Sequence, residues 1–148
     1  MSEYELREVL PDSEEYRELL ALRFEELRKP LGMTWTPEEL EADLGDRHFG
    51  LWHNDGWLGV LVVHALDQGE VKLRQIAVTK RLQSQGLGRR LMTLTEEKLR
   101  SEGVKACQLN ARVTVAGFYE ATGYRRVGEV FEEIGIPHTK MRKALTDV

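Results

Sequence analysis

The segment "RLQSQGLGRRLM", residues 81–92, decides the fold, because two glycines stand where an amphipathic helix begins. Gly86 and Gly88 are separated by one residue, and a glycine inside a helix is about 1 kcal/mol less favourable than an alanine. The unpaired N–H groups of a helix N-terminus bind anions, phosphate above all, and glycine lets the anion reach the backbone. The segment therefore indicates a phosphate or pyrophosphate site; a plain flexible turn is the alternative.

Two common phosphate-binding motifs do not fit this segment. A P-loop requires Gly-Lys-Ser/Thr, whereas "RRL" follows Gly88. A dinucleotide-binding fingerprint requires a third glycine and a glycine turn directly after its strand. Here the third glycine is missing, and residues 79–85 separate the glycines from the preceding strand pattern.

Strand and helix patterns alternate along the rest of the chain. They predict an α/β fold in which a mixed sheet of about seven strands is flanked by about four helices. The strand–helix–strand unit over residues 70–110 predicts two parallel strands. The predicted strands are 5–9, two runs within 48–66, 70–78, 104–111, 124–135 and 138–145; the predicted helices are 11–32, 36–43, one from Leu87 to Gly103, and 115–123.

Short local signals fix several of these boundaries. Asp12 or Ser13 can cap the first helix, and Thr36 with Glu39 forms the capping box of the second. The run Asn54-Asp55-Gly56 between two β-rich segments predicts a tight hairpin.

The strand at residues 70–78 changes its side-chain phase. Val71 and Leu73 are apolar at odd positions, whereas Ile76 and Val78 are apolar at even positions. Because the side-chain period of a strand is two, this slip predicts a β-bulge at residues 74–75. A strand that is buried on both faces, or that frays, is the alternative.

Composition limits the possible classes of protein. The 148 residues suit one domain, 1–148, and the net charge of −4 argues against a nucleic-acid surface. Cys107 is the single cysteine, so no internal disulfide forms, and its apolar surroundings predict a buried structural thiol. We predict no metal site, because the histidines lack metal-ligand spacing. The acidic N-terminus and the short apolar runs predict a cytoplasmic protein without a membrane span.

Two longer blocks identify a family resemblance. Gln83-x-x-Gly86-x-Gly88 closely resembles the acyl-CoA-binding motif of the GNAT family of N-acetyltransferases, and "IAVTKRLQSQGLGRRLM" resembles the whole family segment. "QLNARVTVAGFYEATGY" resembles the family's second conserved block, and the resemblance covers roughly residues 56–130. It implies the acyl-CoA N-acyltransferase fold, with a splay between the fourth and fifth strands, and acetyl-CoA as co-substrate.

The resemblance also implies a cofactor site. The pantetheine arm would lie in the splay and pair with the backbone of the fourth strand. The pyrophosphate would be held by backbone N–H groups at the glycine turn, and an asparagine would contact the cofactor arm, although a strand-end cap is the alternative for that residue. The implied cofactor-binding residues are Ile76, Ala77, Val78, Gln83, Ser84, Gln85, Gly86, Leu87, Gly88, Arg89, Asn110 and Phe118.

Two residues are candidates for catalysis. Tyr119 matches the family tyrosine that protonates the leaving thiolate; a half-buried aromatic on an amphipathic helix is the alternative. His138 is the first residue of the predicted last strand and ends an Ile-Pro-His segment that resembles a little-characterised acyltransferase subgroup; a structural histidine is the alternative. The family's usual fourth-strand glutamate is missing, because Glu70 lies at the strand's start and Gln75 is not a base.

These observations predict an N-acetyltransferase that moves an acetyl group from acetyl-CoA to a primary amine of a small molecule. The alternative is a non-catalytic acyl-CoA-binding sensor or partner subunit, which the missing fourth-strand base favours and the tyrosine does not. A homodimer is possible for this fold, and no sequence feature demands one.

Overall fold

The computed structural model describes residues 4–54, 56–79 and 86–146. Its order of elements agrees with the predicted order. The strands are β1 (Glu5–Val9), β2 (Arg47–His53), β3 (Gly56–Ala65), β4 (Glu70–Val78), β5 (Ala106–Arg112), β6 (Arg125–Glu133) and β7 (Ile136–Ala144). The α-helices are α1 (Glu14–Arg23), α2 (Pro37–Asp43), α3 (Leu87–Ser101) and α4 (Ala116–Ala121).

All seven strands belong to one mixed sheet, in the order β1-β2-β3-β4-β5-β7-β6. Five of the neighbouring pairs are antiparallel, and β4 and β5, which α3 connects, are parallel. This arrangement confirms the predicted mixed sheet and the predicted parallel pair.

Helices cover both faces of the sheet. Val60 is fully buried against Tyr16 and Leu19 of α1, whereas its neighbour Leu61 belongs to the larger core that includes Leu91 of α3. Because consecutive strand residues point to opposite faces, α1 and α3 lie on opposite sides of the sheet. Ala116 of α4 belongs to the larger core, so α4 shares the α3 side.

The predicted caps form as expected. The Ser13 side chain accepts a hydrogen bond from the Tyr16 backbone N–H, and Thr36 and Glu39 form both halves of the capping box. The β2–β3 hairpin pairs His53 with Gly56, and Asn54 has the positive φ of 49° that such a turn needs. Asp55 lies outside the described residues.

The first helix departs from the single helix predicted over residues 11–32. Regular α-helix ends at Arg23, and a π-helical turn (Phe24–Arg28) and a short 3-10 turn (Lys29–Leu31) follow. Pro30 has no N–H and its ring crowds the preceding turn, so a regular α-helix cannot continue there. Gly32, with φ of 67°, then ends the segment.

Candidate active site

A β-bulge lies in the middle of β4. Val62 of β3 pairs with Arg74 and Val60 pairs with Ala77, so Leu61 alone stands opposite two residues of β4. Gln75, one of those two, has φ of 52°, a conformation that few side chains other than glycine adopt. The bulge confirms the prediction from the phase slip, and it bends β4 away from its regular path.

Beyond the bulge, β4 and β5 separate. Their parallel pairing covers Glu70 with Ala106, Val71 with Cys107, and Lys72 with Gln108. Both strands continue past these residues, and in the described part of the chain no further β4–β5 pair forms. An opening therefore lies between the carboxyl ends of the two strands, and an extended ligand can pair with an exposed strand edge of this kind.

The three predicted cofactor-binding residues of β4 lie beside this opening. Ala77 and Val78 pair with Val60 and Gly59 of β3, so β3 occupies one edge of β4 while the other edge faces the opening. Ile76 and Val78 pack with the core on the α3 side, and Ala77 packs on the α1 side.

The N-terminus of α3 follows β4 at the same end of the sheet. Gly86 is its N-cap, with a left-handed φ of 73°, and its carbonyl accepts the first helical bond from Arg90 N at 3.1 Å. The N–H groups of Leu87, Gly88 and Arg89 precede that bond and have no α-helical acceptor. This is the geometry of an anion site. Gln83, Ser84 and Gln85 lie outside the described residues and stay predictions.

Gly88 brings α3 close to α4. A Cβ atom added at Gly88 would lie 3.4 Å from Cζ of Phe118, which is ordinary van der Waals contact for one methyl group. Phe118 is 39% exposed, so its ring lies at the surface beside the start of α3. Gly88 of the glycine motif and Phe118 of the second block therefore lie next to each other.

Tyr119 is half-buried on α4, between two aromatic rings. Its ring centroid lies 5.1 Å from that of Phe118 and 5.9 Å from that of Tyr124. Burial raises the pKa of Tyr119 to about 12. The phenol therefore keeps its proton at neutral pH, which is the state that a proton donor needs.

His138 lies inside β7, which begins two residues before the predicted last strand. The β6–β7 connection is a tight turn at Ile134 and Gly135, whose φ values of 48° and 73° let β7 begin at Ile136. His138 therefore pairs with Arg112 of β5 and is 5% exposed.

A carboxylate that the sequence analysis missed joins two predicted site residues. His138 donates from Nδ1 to the Ile136 carbonyl at 2.7 Å, and its Nε2 lies 3.5 Å from Oε2 of Glu133. Asn110 donates from Nδ2 to the other oxygen of Glu133 at 3.3 Å. The signal was the hairpin itself, because a two-residue turn at residues 134–135 brings Glu133 near His138 across the two strands.

Glu70 is bound in an ion pair at the far end of β4. Arg142 donates to both of its carboxylate oxygens, at 3.1 and 3.0 Å, and Gln108 donates at 3.0 Å. Hydrogen bonds from Arg142 and Gln108 lower the pKa of Glu70 from 4.5 to about 2. Such a carboxylate is a poor proton acceptor, which agrees with the sequence analysis.

This ion pair predicts a pH-dependent contribution to stability. Because the folded pKa of Glu70 lies below its ordinary value, the contribution is present above pH 4.5 and is lost as the pH falls toward about 2. We expect Glu70→Gln to have a lower free energy of unfolding than the wild type at neutral pH. The difference in free energy between the two proteins should become smaller as the pH falls. Urea unfolding between about pH 7 and about pH 3 measures it. Arg142→Gln should show the same narrowing, and a constant difference would contradict the assignment.

A cavity of about 260 Å³ lies on the α1 side, next to the bulge. It was not predicted from the sequence, because its walls come from three separate segments. The guanidinium carbons of Arg23 and Arg28 lie 4.8 and 4.3 Å from the ring centroid of Trp35. The lining residues include Arg23, Arg28, Trp35, Glu38, Asp43 and Gln75.

A buried network supports the wall of this cavity. Asp43 accepts hydrogen bonds from the Tyr16 hydroxyl and from Nη1 of Arg23, the latter at 2.8 Å, and its backbone carbonyl lies 2.7 Å from Nε2 of His48. Desolvation opposes ionisation, but the hydrogen bonds from Arg23 and Tyr16 outweigh it and hold the pKa of Asp43 below its ordinary value. Asp43 therefore stays ionised opposite Arg23.

Removal of one partner should destabilise the fold. We expect Asp43→Ala to lower the free energy of unfolding by about 3 kcal/mol, because it leaves the Arg23 charge buried without its partner. Urea denaturation measures the change. Glu25→Ala removes an exposed pair with Lys29, and this control should stay within about 0.5 kcal/mol of the wild type. Equal effects of the two substitutions would contradict the importance of the network.

The other residues that the structure describes form no separate chemical centre. Cys107 is fully buried, as predicted, and burial raises the pKa of its thiol to about 12, so it is no nucleophile. Within residues 4–54, 56–79 and 86–146, no three metal-ligating side chains come together. No helix of the described chain is both long enough and apolar enough to cross a membrane.

Comparisons with known proteins agree with this geometry. The family model described as an acetyltransferase (GNAT) domain matches residues 20–145. A predicted acetyltransferase of Bacillus subtilis is 38% identical over 107 residues, which cover 72% of each chain. The protein ElaA of Escherichia coli is 30% identical over 109 residues, which cover 72% of this chain and 70% of ElaA.

Solved structures show the same fold. The crystal structure of Escherichia coli ElaA has a TM-score of 0.80 at 24% identity. The match covers 95% of this chain and 99% of the ElaA chain. An aminoglycoside 6'-N-acetyltransferase in complex with coenzyme A has a TM-score of 0.78 at 17% identity. The match covers 97% of this chain and 98% of the aminoglycoside acetyltransferase. The splayed mixed sheet, the glycine turn and the family match together define the class: the chain belongs to the GNAT acetyltransferase family.

Proposed function

We propose that the protein is an N-acetyltransferase that moves an acetyl group from acetyl-CoA to a primary amine of a small molecule. The observation that carries the proposal is the opening between β4 and β5, which has a bulge at Gln75 on one side and the N-terminus of α3 at its end. An extended, anionic cofactor such as acetyl-CoA suits both features. We also propose that the protein acts in the cytoplasm, with a homodimer as a further possibility.

Acetyl-CoA would lie along β4 and end at α3. Its pantetheine arm would pair with the backbone of Ile76, Ala77 and Val78, and its pyrophosphate would accept hydrogen bonds from the amides before the first turn of α3. Gln83, Ser84 and Gln85 are predicted to extend this anion site. The CoA complex of the aminoglycoside acetyltransferase, which shares the fold, supports this choice of cofactor.

The transfer needs few groups. The neutral amine nitrogen attacks the thioester carbonyl carbon, and a backbone N–H near Val78 stabilises the oxygen of the tetrahedral intermediate. The carbon–sulfur bond then breaks, and the departing thiolate takes a proton from the Tyr119 hydroxyl. The base that takes the proton from the amine returns it through solvent to the tyrosinate, so one acetyl group moves and one thiol forms.

We infer that His138 receives the amine proton. Its Nδ1–H is held by the Ile136 carbonyl, so in the neutral ring Nε2 carries the lone pair, and Glu133 can stabilise the protonated ring. Removal of a general base typically lowers a rate by about a hundredfold or more. We expect His138→Ala to lower kcat by at least about tenfold, and a kcat equal to that of the wild type would contradict this role. His53→Ala is the control.

The amine acceptor would enter from the cavity that Arg23, Trp35 and Gln75 line. This cavity lies on the α1 side of β4, directly at the bulge, and so reaches the strand whose edge would hold the thioester. Its volume of about 260 Å³ suits a small molecule.

A thiol-release assay tests the proposal. The purified protein is mixed with acetyl-CoA and a panel of primary amines, and free CoA thiol is measured against time. Amine-dependent thiol release supports the enzyme. Tight CoA binding without release for any amine would instead support the alternative, a sensor or partner subunit, which the absence of a fourth-strand base favours.

A further inference from the structure

Arg23 occupies an unusual place at the end of α1. Its side chain is only 4% exposed, although it carries a charge, and it forms part of the cavity wall. The π-helical turn that follows closes its backbone bond between residues five apart, from Lys29 N to the Phe24 carbonyl. Such a turn brings Arg23 and Arg28 to the same side of the helix, where both guanidinium groups lie over Trp35.

One buried donor of Arg23 has no acceptor in the part of the chain that the structure describes. Nη1 donates to Asp43 at 2.8 Å, whereas Nε is buried and has no hydrogen-bond partner within the described residues. Buried donors are almost always paired in native proteins, by protein, water or ligand. Arg23 lines the cavity, so its buried, unpaired Nε is a donor that a group from outside the chain would satisfy.

The nearby carboxylates of the cavity are already bound. Asp43 is bound to Arg23 and Tyr16, and Glu39 is bound to Arg28 and to the Thr36 backbone. Nη1 of Arg74 lies 3.3 Å from Oδ2 of Asp46, so Arg74 also holds an ion pair, although Asp46 does not line the cavity. Three arginines and three acids therefore line the space, and each arginine already holds one ion pair. Nε of Arg23 is the buried donor that stays without a partner among the described residues.

A planar anion fits this arrangement. Arginine presents Nε and one terminal nitrogen along a single edge, and a carboxylate accepts from that edge with both oxygens. We propose that the acceptor amine carries a carboxylate, as an amino acid does, and that Arg23 binds it through Nε. This inference rests on the proposed acetyl transfer and names the chemical class of its acceptor.

Matched amines test the inference on the unaltered protein. Each amino acid is compared with its carboxamide, which keeps the side chain and the amine and lacks the negative charge. Thiol release from acetyl-CoA gives kcat and KM for both members of each pair. We expect kcat/KM to favour the acid by about tenfold or more, mainly through KM, since a charge-assisted pair is lost in the amide.

A conservative variant then assigns the preference to Arg23. Arg23→Lys keeps the positive charge beside Asp43 and loses the two-nitrogen edge, so the preference for the acid should fall by about tenfold through KM. CoA affinity, measured by calorimetry, should not change. Arg17→Lys, an exposed position on the same helix, should behave as the wild type. The comparison of acid with amide needs no variant, so it decides even if Arg23→Lys does not fold.

Three outcomes would overturn the inference. In the first, amides react as well as acids in the wild-type protein, so the acceptor carries no recognised carboxylate. In the second, Arg23→Lys lowers kcat/KM equally for both members, which makes Arg23 a structural residue whose Nε binds water. In the third, CoA binds and no amine of either kind releases thiol; that result rejects the proposed acetyl transfer itself.

Discussion

Tyr119→Phe should lower kcat by about a hundredfold and leave the affinity for CoA unchanged. The substitution removes one hydroxyl from a ring that packs between Phe118 and Tyr124, so the hydrophobic contacts stay. Burial holds the pKa of Tyr119 at about 12. The wild-type phenol is therefore a proton donor across the neutral range, and phenylalanine cannot replace it.

Steady-state kinetics and calorimetry measure this effect together. kcat reports the loss of proton donation, and the CoA dissociation constant reports whether the site is intact. Tyr4→Phe is the matched control, because it removes a phenol hydroxyl from the residue directly before β1. It should retain kcat within about twofold of the wild type. If Tyr119→Phe also kept kcat within about twofold, Tyr119 would be a packing residue and another group would protonate the thiolate.

Gly88→Val should abolish measurable CoA binding. The first atom of a side chain at this position already touches Cζ of Phe118 at 3.4 Å, and the two methyl groups of valine extend further into the same space. They would displace Phe118 or cover the N–H groups at the start of α3. Loss of the charge-assisted bonds to the pyrophosphate should weaken binding by about a hundredfold or more.

Gly88→Ala separates binding from folding. Alanine is favoured over glycine in a helix by about 1 kcal/mol, and its methyl group makes only ordinary contact with Phe118. We therefore expect a melting temperature equal to or above that of the wild type, together with weaker CoA binding. Thermal unfolding and calorimetry measure the two effects. If both variants bound CoA as the wild type does, the anion site at α3 would be rejected.

The bulge in β4 and the cap of α2 could be predicted from the sequence, because their signals are local. The glycine turn, the capping box of Thr36 and the phase slip at Gln75 each depend on neighbours along the chain, and the structure confirms the cap and the bulge. The prediction of one long first helix failed at Arg23, since a π turn leaves no clear periodic signal in so short a segment.

The cavity on the α1 side could not be predicted, because its contacts join distant segments. Arg23 and Asp43 are twenty residues apart, and both meet Gln75 of β4 only in the folded chain. Glu133 was missed because its neighbours depend on the position of the β6–β7 turn. Pattern alone does not fix such a turn to one residue, and a shift of one residue reverses every side chain.

Calorimetric titration of the purified protein with acetyl-CoA, and then with CoA alone, tests the cofactor site most directly. Binding with a dissociation constant of about micromolar is the result predicted by the opening beside β4 and the anion site at α3. Absence of heat and of binding at about millimolar ligand would contradict it. The family fold would then serve another purpose in this protein, and the acetyl-transfer mechanism would have to be abandoned.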